Sequence, residues 1–243
     1  MIINHKYKFI FLKTRKTAGT SIEIALSKFC GANDVITPII KEDELIRKEL
    51  GFSNPQNFNV ALKHYSKHDW LKLIGKAKKK QFFNHASAGL IRDCIDDDIW
   101  NSYFKFSFER DPFDKAISRY YWSTRNHNSR PAISQYLSSA PLPFLSNWDI
   151  YTINDQIAID FVGRYENLTH DLAFITDKIG LPEELRLPNA KGSYRKSREH
   201  YSRVLNLAAR TRIELICAKE IESFNYSWIE AQDQEEFLRP AET

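Results

Sequence analysis

Cysteine is scarce in this chain: Cys30, Cys94 and Cys217 are the three present among 243 residues, widely spaced and without a CxxC pair. That pattern argues against both a disulfide framework and a zinc site. Long apolar runs are also missing. No stretch approaches the roughly 18 residues of a membrane-spanning helix, and the first strand signal begins so close to Met1 that no signal peptide or anchor fits ahead of it, which points to a cytoplasmic location. Charge of either sign is nearly balanced, 35 Lys and Arg against 31 Asp and Glu, for a net +4. This suits an anionic ligand but supplies no basic face of the kind nucleic acid demands. Repeats and low-complexity tracts are absent, and the length fits one domain with one substantial core. Also absent is any GxxxxGK[ST] string, the phosphate loop of Walker-type ATP and GTP sites.

What the chain does have is a different loop in the same setting. An apolar, β-rich run, Phe9-Ile10-Phe11-Leu12, is followed by Lys13-Thr14-Arg15-Lys16-Thr17-Ala18-Gly19-Thr20-Ser21 and then by Ile22-Glu23-Ile24-Ala25-Leu26, whose apolar residues can face one side of a helix. Strand, loop and helix in that order bring backbone N–H groups, the positive end of a helix dipole, the Lys16 cation and the hydroxyls of Thr17, Thr20 and Ser21 toward one anion. Gly19 allows close backbone approach. Almost a hundred residues later a run of alternating aromatics, Tyr103 to Phe108, leads to Glu109-Arg110-Asp111-Pro112, with Ser118 eight residues after Arg110. An arginine at the carboxyl end of a strand offers a planar fork for two phosphate oxygens, and Pro112 starts the next helix.

The order Arg-Lys-Thr-Ala-Gly-Thr-Ser resembles the PKTGGTS loop with which sulfotransferases grip the 5′-phosphosulfate of PAPS (3′-phosphoadenosine 5′-phosphosulfate). The segment around Arg110 and Ser118 resembles the RDPxxRxxS motif by which that family holds the 3′-phosphate. Val162-Gly163-Arg164-Tyr165-Glu166-Asn167-Leu168 is similar to its VGRYENL strand, and Phe224 to Trp228 to its C-terminal ending. The resemblance is to carbohydrate, Golgi-type sulfotransferases in a bacterial-type form. It implies an α/β, P-loop-like three-layer fold, a central mainly parallel sheet flanked by helices, spanning 1–243 as a single domain. Golgi relatives carry a membrane anchor, so a bacterial cytosolic enzyme and a trimmed catalytic domain both fit. The cofactor implied is PAPS, with 3′,5′-ADP as product and no metal required. Its binding set is then Arg15, Lys16, Thr17, Ala18, Gly19, Thr20, Ser21, Arg110 and Ser118. Arg195, Ser197 and Arg198 fall where relatives fold a loop over the nucleotide.

Sulfuryl transfer needs a cation at the departing phosphate oxygen and a base for the acceptor hydroxyl. Lys16 is placed for the first. For the second the candidate is His85, in Phe82-Phe83-Asn84-His85-Ala86-Ser87, which resembles the GHxS-type segment of uronyl 2-O-sulfotransferases. A carbohydrate hydroxyl is the expected acceptor, with a lipid or small metabolite as the alternative and a P-loop nucleotide kinase a more distant one. No nucleic acid or membrane span is expected. His64 and His68, at i and i+4, read as a solvated face rather than metal ligands, Lys76 to Lys80 as the exposed end of a helix, and Tyr120 to Trp122 as core.

Patterning predicts strands at Tyr7–Leu12, Asp34–Thr37, Gln81–His85 and Tyr103–Glu109. Helices are predicted over Thr20–Phe29, Lys41–Leu50, Ser66–Lys79, Ala88–Ile95 and Asp114–Arg125. Residues 126–148 read as an irregular excursion on the substrate side, helical around Ile133–Leu137. Asn154–Phe161, Thr169–Ile179 and Ser202–Ser223 have helical spacing.

Overall fold

The computed structural model describes residues 1–139, 141–142, 144–188 and 199–232. The chain forms two compact units, Met1–Glu109 with Asp149–Lys191, and Arg110–Trp148 with Gly192–Thr243.

In chain order the elements are β1 (Ile2–Asn4), β2 (Phe9–Phe11), α1 (Gly19–Ser27), β3 (Val35–Ile36), α2 (Lys41–Glu49), α3 (Lys67–Lys76), α4 (Ala88–Arg92), α5 (Asp97–Ser102), β4 (Phe104–Glu109), α6 (Pro112–Ser123), α7 (Ile133–Ser139), α8 (Trp148–Tyr151), β5 (Thr152–Ile153), β6 (Gln156–Ile157), β7 (Phe161–Arg164), α9 (Leu168–Lys178), α10 (Tyr201–Val204), α11 (Leu207–Ile216) and α12 (Ala218–Ser223).

The first unit is built on a five-stranded sheet of order β3-β1-β2-β4-β7. β2, β4 and β7 run parallel, while β1 is antiparallel to both its neighbours, so the sheet is mostly parallel. Burial of β4 on both faces follows from its central place. Phe106 and Phe108 enter the core with Phe9, Phe11, Ile22 and Leu26. The opposite residues are polar and paired: the Ser107 hydroxyl donates to the Leu12 carbonyl at 2.7 Å, and Glu109 accepts from the Tyr151 hydroxyl at 3.0 Å. Gly163 on β7 is required by close approach, since a Cβ there would lie 2.6 Å from the Phe108 ring. α1 and α9 contribute Ile22, Leu26, Leu172 and Ile175 to the same core.

The second unit is helical, with α6, α7, α10 and α11 around Phe113, Ile117, Tyr120, Leu137 and Ile213. Leu137, Leu142 and Leu145, from the stretch read as an irregular excursion, are buried in this core, and α7 covers the part expected to be helical.

Three sequence expectations give way. Gln81–His85 is not a strand; it makes a single bridge, Asn59 to Gln81, before the chain turns. Asn154–Phe161 is not a helix, because Asn154 and Asp155 take φ of 49° and 67° and turn β5 back onto β6. Paired positive φ at the two central residues is the signature of a tight type I′ hairpin. The helix expected over Ser202–Ser223 is three, broken where Asn206 caps α11 by accepting from the Ala209 N–H and again at Cys217. The sheet also gains β1, which lies ahead of the first strand signal noted in the sequence.

Candidate functional site

Just past β2, the Leu12 N–H still donates to the Phe106 carbonyl at 2.9 Å. Lys13 and Thr14 then continue buried, each 2% exposed. The Thr14 hydroxyl donates to the Phe108 carbonyl and lies 2.8 Å from the Thr17 hydroxyl. With its proton so used, Thr14 accepts from Thr17. The Thr17 side chain is therefore spent inside the loop, pinning it to β4.

Between these anchors the backbone alternates in hand. Lys16 and Ala18 have φ of 66° and 59°, while Arg15 and Thr17 stay outside the left-handed region. Such alternation turns successive N–H groups toward one side, a concavity suited to an anion. Left-handed backbone is costly for residues with a Cβ and persists where its surroundings enforce it. Ala18 is also the residue capping α1, and it provides no side-chain hydrogen bond to the first turn, which holds no acidic residue either. Gly19 is dictated by crowding: a Cβ would sit 2.8 Å from Lys13 Cγ and 3.1 Å from the Thr14 carbonyl oxygen. Thr20 is buried, and Arg15, Lys16 and Ser21 are half-buried at the loop surface.

Under the loop lies a buried charge cluster centred on Glu23 of α1. Its carboxylate is 2.9 Å from the Lys13 ammonium, 3.2 Å from the Met1 amine and 3.5 Å from the Arg47 guanidinium. Burial pushes the Glu23 pKa up, but Lys13, the amine and Arg47 outweigh it and bring it down to about 2. Burial lowers the Met1 amine to about 5. Lys13 is thus bound to α1 and stiffens the loop.

His85 is the third position of the turn Phe83–Ala86, closed by the Ala86 N–H to the Phe83 carbonyl at 3.1 Å. Its φ of 65° is one a turn normally gives to glycine. The turn carries the ring to the phosphate loop, where Nδ1 is 2.8 Å from the Lys13 carbonyl oxygen. A carbonyl can only accept, so Nδ1 bears the proton and Nε2 holds a lone pair. Burial lowers the His85 pKa to about 3, with Lys13 and Arg15 adding repulsion and the carbonyl bond opposing, so the ring is neutral near pH 7. The neighbouring Asn84 keeps Oδ1 buried without a hydrogen-bond partner among the described residues.

In the second unit Asp111 caps α6 by accepting from the N–H groups of Phe113 and Asp114 at 2.8 and 3.0 Å, with Pro112 in the first turn. Arg110, 7% exposed, is held by Asp114: Nε donates at 2.8 Å and Nη2 pairs with the same oxygen. Positions 110, 114 and 118 follow i, i+4, i+8, so Ser118, half-buried, lies one turn beyond Asp114 on the same helix face. Arg195, Ser197 and Arg198 lie outside the described residues. Among the described residues no group of three or more His, Cys, Asp or Glu converges as metal ligands. His64 instead lies 3.2 Å from Asp96.

A strand, an anion-shaped loop without a Walker string and a neutral histidine at its edge meet in the first unit. Residues 1–140 match the model of the Sulfotransferase family. The chain belongs to this family. An uncharacterized protein of Archaeoglobus fulgidus is 35% identical over 116 residues, covering 45% of this chain and 97% of that protein. No solved structure matches. Sulfotransferases are transferases that act on an acceptor substrate, and the described helices include none long and apolar enough to cross a membrane.

Lys13, Thr14 and Asn84 fall outside the residues that the motifs single out. A lysine directly after a buried strand was the available signal for the first. The hydroxyl relay from Thr17 through Thr14 to Phe108 depends on two strands distant in sequence and left none.

Proposed function

We propose that this sulfotransferase moves a sulfuryl group from PAPS to a hydroxyl, with a carbohydrate or glycoconjugate as the acceptor class. The observation that carries the reading is the pairing of an anion-shaped loop at Arg15–Ala18 with His85, whose Nδ1 is tied to that loop's own Lys13 carbonyl. The resemblance supports assigning the loop's backbone N–H groups and lysine to the phosphosulfate, and an arginine with a hydroxyl to a second phosphate. PAPS supplies the sulfuryl group, and 3′,5′-ADP is what remains of it.

Lys16 neutralises the charge that grows on the phosphate oxygen as the sulfuryl group departs, the kind of contact worth most in the transition state. His85, with Nε2 unprotonated, takes the acceptor hydroxyl's proton. Its low pKa in the bare site makes it a weak base. Negative charge bound at the loop screens Lys13 and Arg15 and raises that pKa, so the base strengthens when the donor is present. Arg110 and Ser118 hold the 3′-phosphate, with Asp114 orienting the guanidinium. One catalytic domain across 1–243 is the matching organisation. The acceptor class rests on the likeness of the loop and of the His85 segment to carbohydrate sulfotransferases.

Calorimetric titration with 3′,5′-ADP, 5′-ADP and magnesium ATP tests this directly. Micromolar binding of 3′,5′-ADP alone, without magnesium, is expected. Preference for magnesium ATP would overturn it.

A further inference from the structure

α3 is unlike the other long helices, because none of its ten residues is buried. It is nonetheless well made. Ser66 and Asp69 form a reciprocal capping box, Lys80 pairs with Asp69 at 2.9 Å, and Tyr65 packs on Trp70 with ring centroids 5.6 Å apart. These contacts hold one side of the helix and leave the other to solvent, where Leu71 is 70% exposed and Ile74 79%, with Trp70, 41% exposed, at the edge between the two sides. At helical spacing these three fall within about 100° of arc. Lys67 projects in the middle of that arc and its long stem can lie along apolar surface.

Charge is concentrated here too. Residues 62–80 carry seven lysines against one aspartate, an excess larger than the net +4 of the whole chain. Lys80 and Lys63 are paired with Asp69 and Asp96. Lys67, Lys72, Lys76, Lys78 and Lys79 make no ion pair among the described residues.

We infer that α3 and the lysines after it dock this enzyme on an anionic lipid surface. A tryptophan and two aliphatic side chains on one face with lysines around them are what an interfacial helix presents: the apolar face enters the acyl boundary while the ammonium groups meet lipid headgroups. An acidic polysaccharide or nucleic acid would engage the lysines but leave Leu71 and Ile74 in water. A second copy of this chain would bring like-charged lysines together. The charge complementarity and the apolar arc are satisfied together by a negatively charged bilayer.

The test is flotation of the full chain with phosphatidylcholine vesicles, with and without phosphatidylserine, at low and high salt. The expected result is binding only to vesicles containing phosphatidylserine, reversed by salt. Leu71→Ser with Ile74→Ser should lower partitioning about tenfold, and Lys78→Glu with Lys79→Glu by more, at about fivefold per lysine removed. All four positions are exposed, so circular dichroism and 3′,5′-ADP binding should be unchanged. Absence of vesicle binding would overturn the inference. So would retention on heparin that is indifferent to the serine pair with no flotation, which would mark an acidic polymer, or a change of oligomeric state in the serine variant without lipid, which would mark a self-association face.

Discussion

Ala18 occupies a backbone region that costs a residue with a Cβ about 1–2 kcal/mol. A glycine there escapes that cost but gives back about 0.5–1 kcal/mol of unfolded-state entropy. Ala18→Gly is therefore expected to stabilise the fold slightly, by about 0.5 kcal/mol in chemical denaturation. One position later the sign reverses. Gly19→Ala forces a methyl group against Lys13 and the Thr14 carbonyl and should cost about 1–3 kcal/mol, visible as a lower denaturation midpoint. Lys16→Ala should leave the melting temperature in place while lowering kcat at least about a hundredfold. For His85 the informative change is to asparagine, which tolerates left-handed backbone and so keeps the turn. His85→Asn should bind 3′,5′-ADP as the parent does and lose transfer by about a hundredfold or more. Turnover at the parent rate would remove His85 as the base. Arg110→Ala should weaken 3′,5′-ADP far more than 5′-ADP, and equal weakening of the two would take the 3′-phosphate away from Arg110.

At the level of elements, the long periodic segments were legible from the sequence. The alternating aromatics of β4 and the apolar stripe of α9 announce themselves because one buried face dictates each pattern. What escaped was set by single residues acting on the backbone. The Asn154-Asp155 turn converts a helical-looking stretch into a ribbon, and Asn206 divides a helix whose apolar spacing runs on across the break. The candidate site divides in the same way. The loop and the Arg110 turn were readable as strings, whereas the contact of His85 with the Lys13 carbonyl spans 72 positions and has no local signature. α1 depends on such a hidden contact as well. Glu23→Gln would leave Lys13 and Arg47 buried against a neutral amide, and breaking a buried pair on one side typically costs about 3–5 kcal/mol. The prediction is a large fall in stability by urea denaturation and a loss of 3′,5′-ADP affinity, because Lys13 is the residue that joins α1 to the loop.

For the molecule as a whole, three buried groups shape the response to acid, the first being the Met1 amine, lowered to about 5 from 8.0, which costs stability as pH falls from 8 toward 5. His85 titrates near 3 when folded against an ordinary 6.5, so below about pH 6.5 the unfolded chain takes up a proton that the folded chain refuses. Stability contributed by keeping this ring neutral is lost as pH falls from 6.5 toward 3. Glu23, lowered to about 2 from 4.5, adds stability that is complete above 4.5 and disappears as pH falls through 2. Denaturation at stepped pH should show a decline that begins near 8 with the Met1 amine and steepens below 6.5, and His85→Asn should remove the steepening below 6.5 while leaving the amine's portion and the one below 4.5. The bond between His85 and the Lys13 carbonyl has a consequence for acceptor choice. In the proposed reaction one peptide unit both begins the loop assigned to the donor and holds the ring assigned as base, so the gap between donor and base is a fixed ruler, one hydrogen bond from the main chain. Variation in which hydroxyl is sulfated must then arise from side chains that steer the acceptor into that gap, since altering the gap itself would disturb donor binding and proton removal together.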